Sequence, residues 1–274
     1  MNRRKWMGVV EAGLWVLVVV GSLAFLGIKL RNWEPLDKMA QDDFAALYIG
    51  AKVAQIEPVM LYRPEQWHAL TGTDVHLPGP FPYAPTVAIP FFSLTDLPYP
   101  QAGIRWLMAD VVMVATIVAL LAWYAWRRRD WAPLLGAGLW LLLPATADNI
   151  YLGNINVVIA LLITVAYLLF GSPRALVEAL SGFAVGVAAS IKPNPLLLAV
   201  LAPWARRWWF LAGMAVGLPT ALFLGLARFG VEVYGTYAEM LRAYYANLAP
   251  PGASILQNQS LMALAQKLAF SGNL

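Results

Sequence analysis

The sequence predicts an all-α protein, a polytopic bundle of transmembrane helices with a large first loop outside the membrane. Of its 274 residues, 60% are hydrophobic and only 12% are charged, whereas soluble domains carry about 25% charged residues. The mean hydropathy of +0.63 agrees with this class. Because one span needs about 20 residues, the chain has room for about six to eight helices and their loops.

The first predicted span covers residues 7–30 and follows the basic residues Arg3, Arg4 and Lys5. A basic start and an apolar run also occur in signal peptides, but this run is long for that purpose and shows no small-residue cleavage site. We therefore interpret it as a retained span that enters the membrane from the cytoplasm.

Residues 31–101 form a long polar stretch that we predict to be the outer loop, with short amphipathic helices inside it. An apolar stripe with helical spacing runs through residues 42–55. The stripe consists of Phe44, Leu47, Tyr48 and Ala51. Residues 78–90 are rich in proline and cannot form a regular helix. We expect an ordered loop there, which leads into a short apolar piece over residues 87–94.

The remaining spans are predicted within residues 102–274. The apolar runs cover residues 104–126, 132–144, 155–170, 175–191, 195–204 and 208–226, and a last run begins at Ser260. Several are short for a full span, so they must tilt, break or meet a thinner membrane.

Basic clusters at alternate ends of these runs predict the orientation of the chain. The clusters are Arg3-Arg4-Lys5, Arg127-Arg128-Arg129, Arg174 and Arg206-Arg207. The positive-inside rule makes their side cytoplasmic. We therefore predict a multi-pass protein of the inner or plasma membrane with a cytoplasmic N-terminus. The opposite, outer side then holds most of the unusual polar residues, which points to one site there. Its segments are residues 31–101, 148–156, 191–195 and 228–259.

Two kinds of charged residue in these outer segments can carry chemistry. Asp42 and Asp43 follow the first span, and a carboxylate near the membrane surface can act as a general base. The alternative is an N-cap, and both roles are compatible if Asp42 caps the helix while Asp43 reaches inward. Lys192 lies where Pro193 and Pro195 break a helix. It either pairs with a phosphate or extends its ammonium group to the interface.

Amide and aromatic side chains in the outer segments leave two interpretations open. Asn154 and Asn156 belong to a polar loop that either binds a hydroxyl-rich ligand or forms a simple turn. Asn258 and Gln259 precede the last run, where Asn258 or Ser260 can instead cap a helix. The aromatic residues either stack on a sugar or belong to an interfacial belt. They are Tyr62, Trp67, Phe81, Tyr83 and Trp106.

Several function classes are disfavoured by what the sequence lacks. Without cysteine, thiolate catalysis and cysteine-ligated metals are excluded. The two histidines, His68 and His76, have no clear third ligand, so we predict no metal and no cofactor. The motifs of P-loop ATPases, zincin proteases and α/β-hydrolases are absent. The pI near 9.3 reflects the topological clusters, so we expect no nucleic-acid partner.

Short strings spread over most of the chain occur in a recognisable order. They are Asp42-Asp43-Phe44-Ala45-Ala46-Leu47-Tyr48, Leu61-Tyr62, Phe81-Pro82-Tyr83-Ala84-Pro85, Gly153-Asn154-Ile155-Asn156, Lys192-Pro193 and Asn258-Gln259-Ser260-Leu261. Their order resembles that of glycosyltransferase family 87, the polyprenyl-phosphate-mannose-dependent mannosyltransferases of the GT-C fold. Asn154 stands where the family usually has glutamine. The family is also longer, so we expect this chain, which stops inside an apolar run, to be truncated at its C-terminus.

The resemblance implies a membrane enzyme that transfers a sugar, mannose by family default, from a polyprenyl-phosphate donor to a lipid or glycan acceptor at the outer face. It implies that Asp43 is the catalytic base. We expect Lys192 and Arg63 at the donor phosphate. The other expected substrate contacts are Asp42, Tyr48, Tyr62, Tyr83, Asn154, Asn156, Asn258 and Gln259.

A multi-span transporter or lipid flippase is the alternative from another functional class, and a non-catalytic membrane scaffold is the third. A transporter predicts internal repeats and polar residues near the middle of the membrane. In this sequence no convincing repeat is evident and the polar residues cluster towards one face.

Overall fold

The computed structural model describes residues 43–72 and 81–247, together with scattered positions between residues 13 and 27. Every regular element within these residues is helical, which confirms the all-α prediction for this part of the chain. Asp42, Asn258 and Gln259 lie outside the described residues, as does the run that begins at Ser260. The chain divides into two compact units, Met1–Tyr234 and Gly235–Leu274.

A group of short helices occupies residues 43–95. α1 covers Asp43–Ile56 and α2 covers Trp67–Thr71, with 3-10 helices at Pro58–Tyr62 and Pro64–Gln66 between them. A 3-10 helix at Pro85–Phe91 leads into α3, Phe92–Thr95. The described part of the proline-rich segment thus forms tight 3-10 turns, because each proline lacks the N–H that an α-helix needs.

α1 is buried on more sides than the predicted amphipathic helix. Its expected apolar stripe is buried, but Ala45, Ile49 and Val53 on the other faces are buried as well. α1 packs against the 3-10 helix Pro85–Phe91 and against α3. At Gly50 a Cβ would lie 2.5 Å from a ring carbon of Phe81, so the segment before that 3-10 helix covers α1 closely.

The rest of the described chain, residues 99–247, forms helices most of which are longer. They are α4 (Tyr99–Arg128), α5 (Ala132–Leu142), α6 (Pro144–Tyr151), α7 (Asn156–Leu169), α8 (Ala175–Ile191), α9 (Leu197–Leu201), α10 (Trp208–Phe229) and α11 (Val231–Asn247), with a 3-10 helix at Asn194–Leu196. Among the described helices, α4 and α10 are long and apolar enough to cross a membrane. The predicted run over residues 195–204 instead gives only the five-residue α9, because prolines interrupt it at both ends.

α8 and α10 pack closely along a row of glycines. The glycines are Gly182 and Gly186 on α8 and Gly213 and Gly217 on α10. A Cβ at Gly182 would lie 1.8 Å from the backbone oxygen of Phe210, and one at Gly213 would lie 1.9 Å from that of Ala179. Small residues four positions apart allow such close backbone approach between membrane helices. This packing fixes the C-terminal end of α8, which Lys192 directly follows.

Candidate active site

Three segments that are distant in sequence meet at the start of α1. Asp43 is the first residue of α1, Asn154 and Asn156 lie at the start of α7, and Lys192 follows α8. The side chains of all four residues are connected by hydrogen bonds. The structure therefore brings together the carboxylate, the amides and the cation that the sequence indicated, and we call these four residues the polar cluster.

The turn before α7 places Asn154 next to α1. Gly153 has a φ of +62°, a left-handed conformation that suits glycine, and its carbonyl accepts a hydrogen bond from the indole N–H of Trp106 at 2.9 Å. The N–H of Phe44 donates to the carbonyl of Leu152 at 3.0 Å. Because the first amides of a helix lack intrahelical acceptors, this bond both completes the start of α1 and ties it to the turn.

The side-chain amide of Asn154 is the centre of the polar cluster. Its Nδ2 group donates to Oδ2 of Asp43. Its Oδ1 accepts from the backbone N–H of Asn156 at 3.0 Å and from Nζ of Lys192 at 3.4 Å. The amide oxygen therefore faces two donors and the amide nitrogen faces a carboxylate, which fixes the orientation of the group. One buried amide thus holds the acid and the cation on either side of itself.

Lys192 is held mainly by neutral groups. Its Nζ donates to Oδ1 of Asn156 at 2.8 Å and lies 5.6 Å from the centre of the Tyr83 ring. Among the described residues no carboxylate lies within ion-pair distance of it. Burial lowers the pKa of Lys192 below its ordinary value, and the charge of Asp43 opposes this effect only in part. The cation is therefore desolvated and incompletely neutralised, a state that favours binding of an anion.

Two tyrosines support this arrangement. Tyr83 is buried beneath Lys192, and its pKa is raised, first by burial and then by the charge of Asp43. Tyr62 donates its hydroxyl hydrogen to the backbone carbonyl of Tyr83 at 2.8 Å. Tyr62 therefore fixes the chain that carries Tyr83, while the aromatic ring of Tyr83 faces the cation.

Two other predicted site residues, Tyr48 and Arg63, are not part of the polar cluster. Tyr48 packs against Phe44 and Tyr99, and its hydroxyl donates to the carbonyl of Leu97 at 2.7 Å. Arg63 is an exposed residue between two 3-10 helices. No hydrogen bond or ion pair among the described residues joins either side chain to the polar cluster.

Two supporting residues were not assigned these roles from the sequence. Asn149 accepts a hydrogen bond from Nδ2 of Asn156 at 2.6 Å, so it orients the amide that binds Lys192. Trp106 was considered only as an interfacial or sugar-stacking residue, but its indole N–H holds the turn at Gly153. For Asn149, the sequence did offer a signal, because three asparagines occur close together between residues 149 and 156.

An apolar cavity of about 340 Å³ borders the polar cluster. Ile155, between the two asparagines, and Ile191, before Lys192, both line it. Trp106, Phe91 and Phe183 contribute aromatic surface to its wall. The cavity therefore adjoins, through these two isoleucines, the segments that carry Asn154, Asn156 and Lys192.

Besides Asp43, the structure shows a buried carboxyl group that was not predicted from the sequence, that of Asp110. It lies on α4, one turn after Trp106, and is fully buried. Neither oxygen has a hydrogen-bond partner among the described residues. A buried polar group left unpaired costs about 1–3 kcal/mol, and nothing in the described part of the chain explains why an acid is retained there.

Comparison with known proteins agrees with the resemblance seen in the motifs. The family model described as Glycosyltransferase family 87 matches residues 81–274. The matched range contains Asn154, Asn156 and Lys192, and it begins after Asp43, which the hydrogen bond from Asn154 links to it. No curated protein matches the chain, and no solved structure matches it.

Proposed function

Because the chain belongs to glycosyltransferase family 87 and is thus a membrane glycosyltransferase, we propose that it uses a polyprenyl-phosphate sugar as donor. It transfers a hexose, mannose in the first instance, to a hydroxyl group of a lipid or glycan acceptor. The reaction takes place at the outer face of the cytoplasmic membrane and inverts the anomeric carbon. The same proposal includes a polytopic GT-C arrangement, a cytoplasmic N-terminus and residues 31–101 as the outer loop.

The observation that carries this proposal is the shared contact of Asp43 and Lys192 with one amide. Asn154 binds a carboxylate through its nitrogen and an ammonium group through its oxygen. A base and a cation are therefore held one amide group apart. Displacement at an anomeric carbon with a phosphate leaving group needs both, the base on the attacking hydroxyl and the cation on the departing oxygens.

In the proposed reaction Asp43 takes the proton of the acceptor hydroxyl. Its Oδ2 accepts from Asn154, and Oδ1 receives the proton. The acceptor oxygen forms a bond to the anomeric carbon as the bond from that carbon to the phosphate oxygen breaks. The electron pair leaves with the polyprenyl phosphate, and attack from the face opposite the leaving group inverts the configuration.

The departing phosphate gains negative charge, and Lys192 is the group placed to neutralise it. Preorganised positive charge at the point where negative charge develops is usually the largest catalytic contribution. Arg63 is proposed as a second cation that reaches the phosphate from the outer loop. The residues proposed to orient donor and acceptor are Asp42, Tyr48, Tyr62, Tyr83, Asn154, Asn156, Asn258 and Gln259.

The apolar cavity next to the polar cluster suits the first part of the polyprenyl chain. Ile191, which lines this cavity, directly precedes Lys192 in the chain, so a phosphate held at Lys192 lies close to the cavity wall. No metal or nucleotide is required in this scheme, because the phosphate linkage already activates the sugar. Donor and acceptor are the required partners.

The proposal is tested by offering purified full-length protein two donors in lipid vesicles that also contain candidate acceptors. We expect sugar transfer from polyprenyl-phosphate mannose and none from the corresponding nucleotide sugar, with inverted configuration in the product. Transfer from the nucleotide sugar, or retained configuration, would contradict the mechanism. Donor flipping across the bilayer without any transfer would instead favour a flippase.

The lowered pKa of Lys192 predicts how activity depends on pH. Transfer needs the protonated lysine, so kcat/KM falls as pH rises through the pKa of the free enzyme, and burial places that value below the ordinary lysine value of 10.5. A bound phosphate stabilises the cation, so the alkaline fall of kcat lies at higher pH. Arginine stays charged throughout, so Lys192→Arg should move the alkaline fall of kcat/KM upwards.

Lys52→Arg is the matched control for this measurement. Lys52 is a partly buried lysine on α1 that donates to the carbonyl of Thr71, away from the polar cluster. Its replacement should leave the pH profile unchanged. If the Lys192→Arg enzyme still transfers sugar and its kcat/KM falls at the same alkaline pH as that of the wild type, a group other than Lys192 controls this fall.

A further inference from the structure

A second apolar cavity, of about 440 Å³, lies against the middle of α8. α8 contributes Ser181 and Val185 to it, whereas Phe183 and Val187 line the cavity beside the polar cluster. Residues two positions apart on a helix point about 200° away from each other. The two cavities therefore lie on opposite faces of α8, and the second is separate from the proposed donor site.

Arginines lie at the edge of this second cavity. Ala202 and Ala205 line it, the N–H of Arg207 donates to the carbonyl of Ala202 at 2.9 Å, and Arg206 follows Ala205 in the chain. The guanidinium of Arg207 lies 5.4 Å from the centre of the Phe170 ring, which is itself part of the cavity wall. An apolar chain inside the cavity would thus end next to two cations.

The charge at this edge is only partly neutralised. Glu178, nearly buried on α8, pairs with Nη1 of Arg207 at 3.2 Å. The side chain of Arg207 still keeps 36% of its surface exposed, and its Nε–H has no acceptor among the described residues. Arg206 is exposed, as is Arg174, which precedes α8. Asp130 is a further acidic group, close enough to act on Tyr167 of the lining. At the edge formed by Arg206 and Arg207, Glu178 is the one carboxylate in ion-pair contact among the described residues, so this edge keeps an excess positive charge.

We propose that this cavity and its arginines form a binding site for an anionic phospholipid, separate from the catalytic site. One acyl chain fills the cavity, and the phosphate group contacts Arg206 and Arg207. Charge complementarity favours an anionic headgroup. The surrounding surface favours a lipid over a soluble anion, because Leu201 and Trp204 beside the cavity are 55% and 79% exposed.

Thermal unfolding of the purified full chain in detergent micelles tests the site. Dioleoylphosphatidylglycerol, dioleoylphosphatidylcholine and glycerol 3-phosphate are titrated separately. We expect a saturable rise in Tm with phosphatidylglycerol, a much smaller one with phosphatidylcholine and none with glycerol 3-phosphate. An equal rise with phosphatidylcholine would overturn the charge requirement, and a rise with glycerol 3-phosphate alone would show a simple anion site instead of a lipid site.

Two variants separate the charge from the cavity. Arg206 has a φ of +54°, and asparagine tolerates that conformation better than most residues, so Arg206→Asn removes the cation without added strain. We expect it to weaken phosphatidylglycerol binding about tenfold, the scale of one hydrogen bond to a charged group. Ala205→Phe places an aromatic ring in the cavity wall. The ring should exclude the acyl chain and thus abolish the rise in Tm with phosphatidylglycerol.

Arg129→Asn is the matched control, because Arg129 also has a left-handed φ of +58°, is exposed at the end of α4 and does not line the cavity. It should bind phosphatidylglycerol as the wild type does. If Arg206→Asn and Ala205→Phe both respond to the lipid like the wild type while remaining folded, the proposed site is wrong. These readouts do not depend on sugar transfer, so they are informative even if the proposed donor is incorrect.

Discussion

Asp43→Asn is expected to lower sugar transfer by about 10²–10⁴-fold, the usual contribution of a general base. An asparagine at this position has the same shape, and its oxygen can still accept the hydrogen bond that Asn154 donates. The start of α1 should therefore remain in place while proton abstraction is lost. Transfer of sugar from polyprenyl-phosphate mannose, measured at saturating donor and acceptor, gives the effect on kcat.

Asp96→Asn controls for the loss of one carboxylate at this end of the protein. Asp96 is exposed at the end of α3 and makes no hydrogen bond to the polar cluster among the described residues, so its replacement should leave transfer close to that of the wild type. Wild-type turnover by a folded Asp43→Asn protein would remove Asp43 from the reaction. If Asp43→Asn instead prevents folding, the main role of Asp43 is to stabilise the packing of α1.

The helix pattern was largely accessible from the sequence because its ends are marked by residues that stop helices. The apolar run over residues 175–191 predicted α8, Ala175–Ile191, with the same bounds. Pro173 lies two residues before it and Pro193 two residues after it, so both ends are defined locally. The run over residues 155–170 similarly became α7, Asn156–Leu169.

The run over residues 195–204 shows where such pattern reasoning fails. Hydropathy alone gave a candidate span, whereas the chain makes a 3-10 turn, a short α9 and then further turns up to Arg206. Proline and a left-handed residue interrupt the hydrogen-bond ladder, and a hydropathy average over the segment does not register a single missing N–H.

The partners within the candidate site were accessible only in part. The residue types and their common side predicted that Asp43 and Lys192 belong to one site, but nothing local predicts that Asn154 bridges them. Asp43 and Asn154 are 111 positions apart, and their contact depends on how α1, α6, α7 and α8 pack. The same holds for Tyr48, whose hydroxyl binds the backbone carbonyl of Leu97.

Gly213→Ala is expected to destabilise the protein by about 3 kcal/mol or more, although alanine favours helices by about 1 kcal/mol over glycine. The new Cβ would lie 1.9 Å from the carbonyl oxygen of Ala179 and 2.9 Å from the backbone nitrogen of Phe183. Both are main-chain atoms of α8, so no side chain can rotate to make room. α8 and α10 must separate, and thermal unfolding in detergent should show a clearly lower Tm.

Gly136→Ala is the matched control, because nothing lies within 4 Å of the position a Cβ would take on α5. It should be neutral or slightly stabilising through helix propensity alone. An unchanged Tm for Gly213→Ala would mean that α8 and α10 are not in backbone contact.

Because Lys192 directly follows α8, separation of the helices should also move its ammonium group away from Oδ1 of Asn156. Residual folded Gly213→Ala protein should therefore transfer sugar more slowly, whereas Gly136→Ala should not.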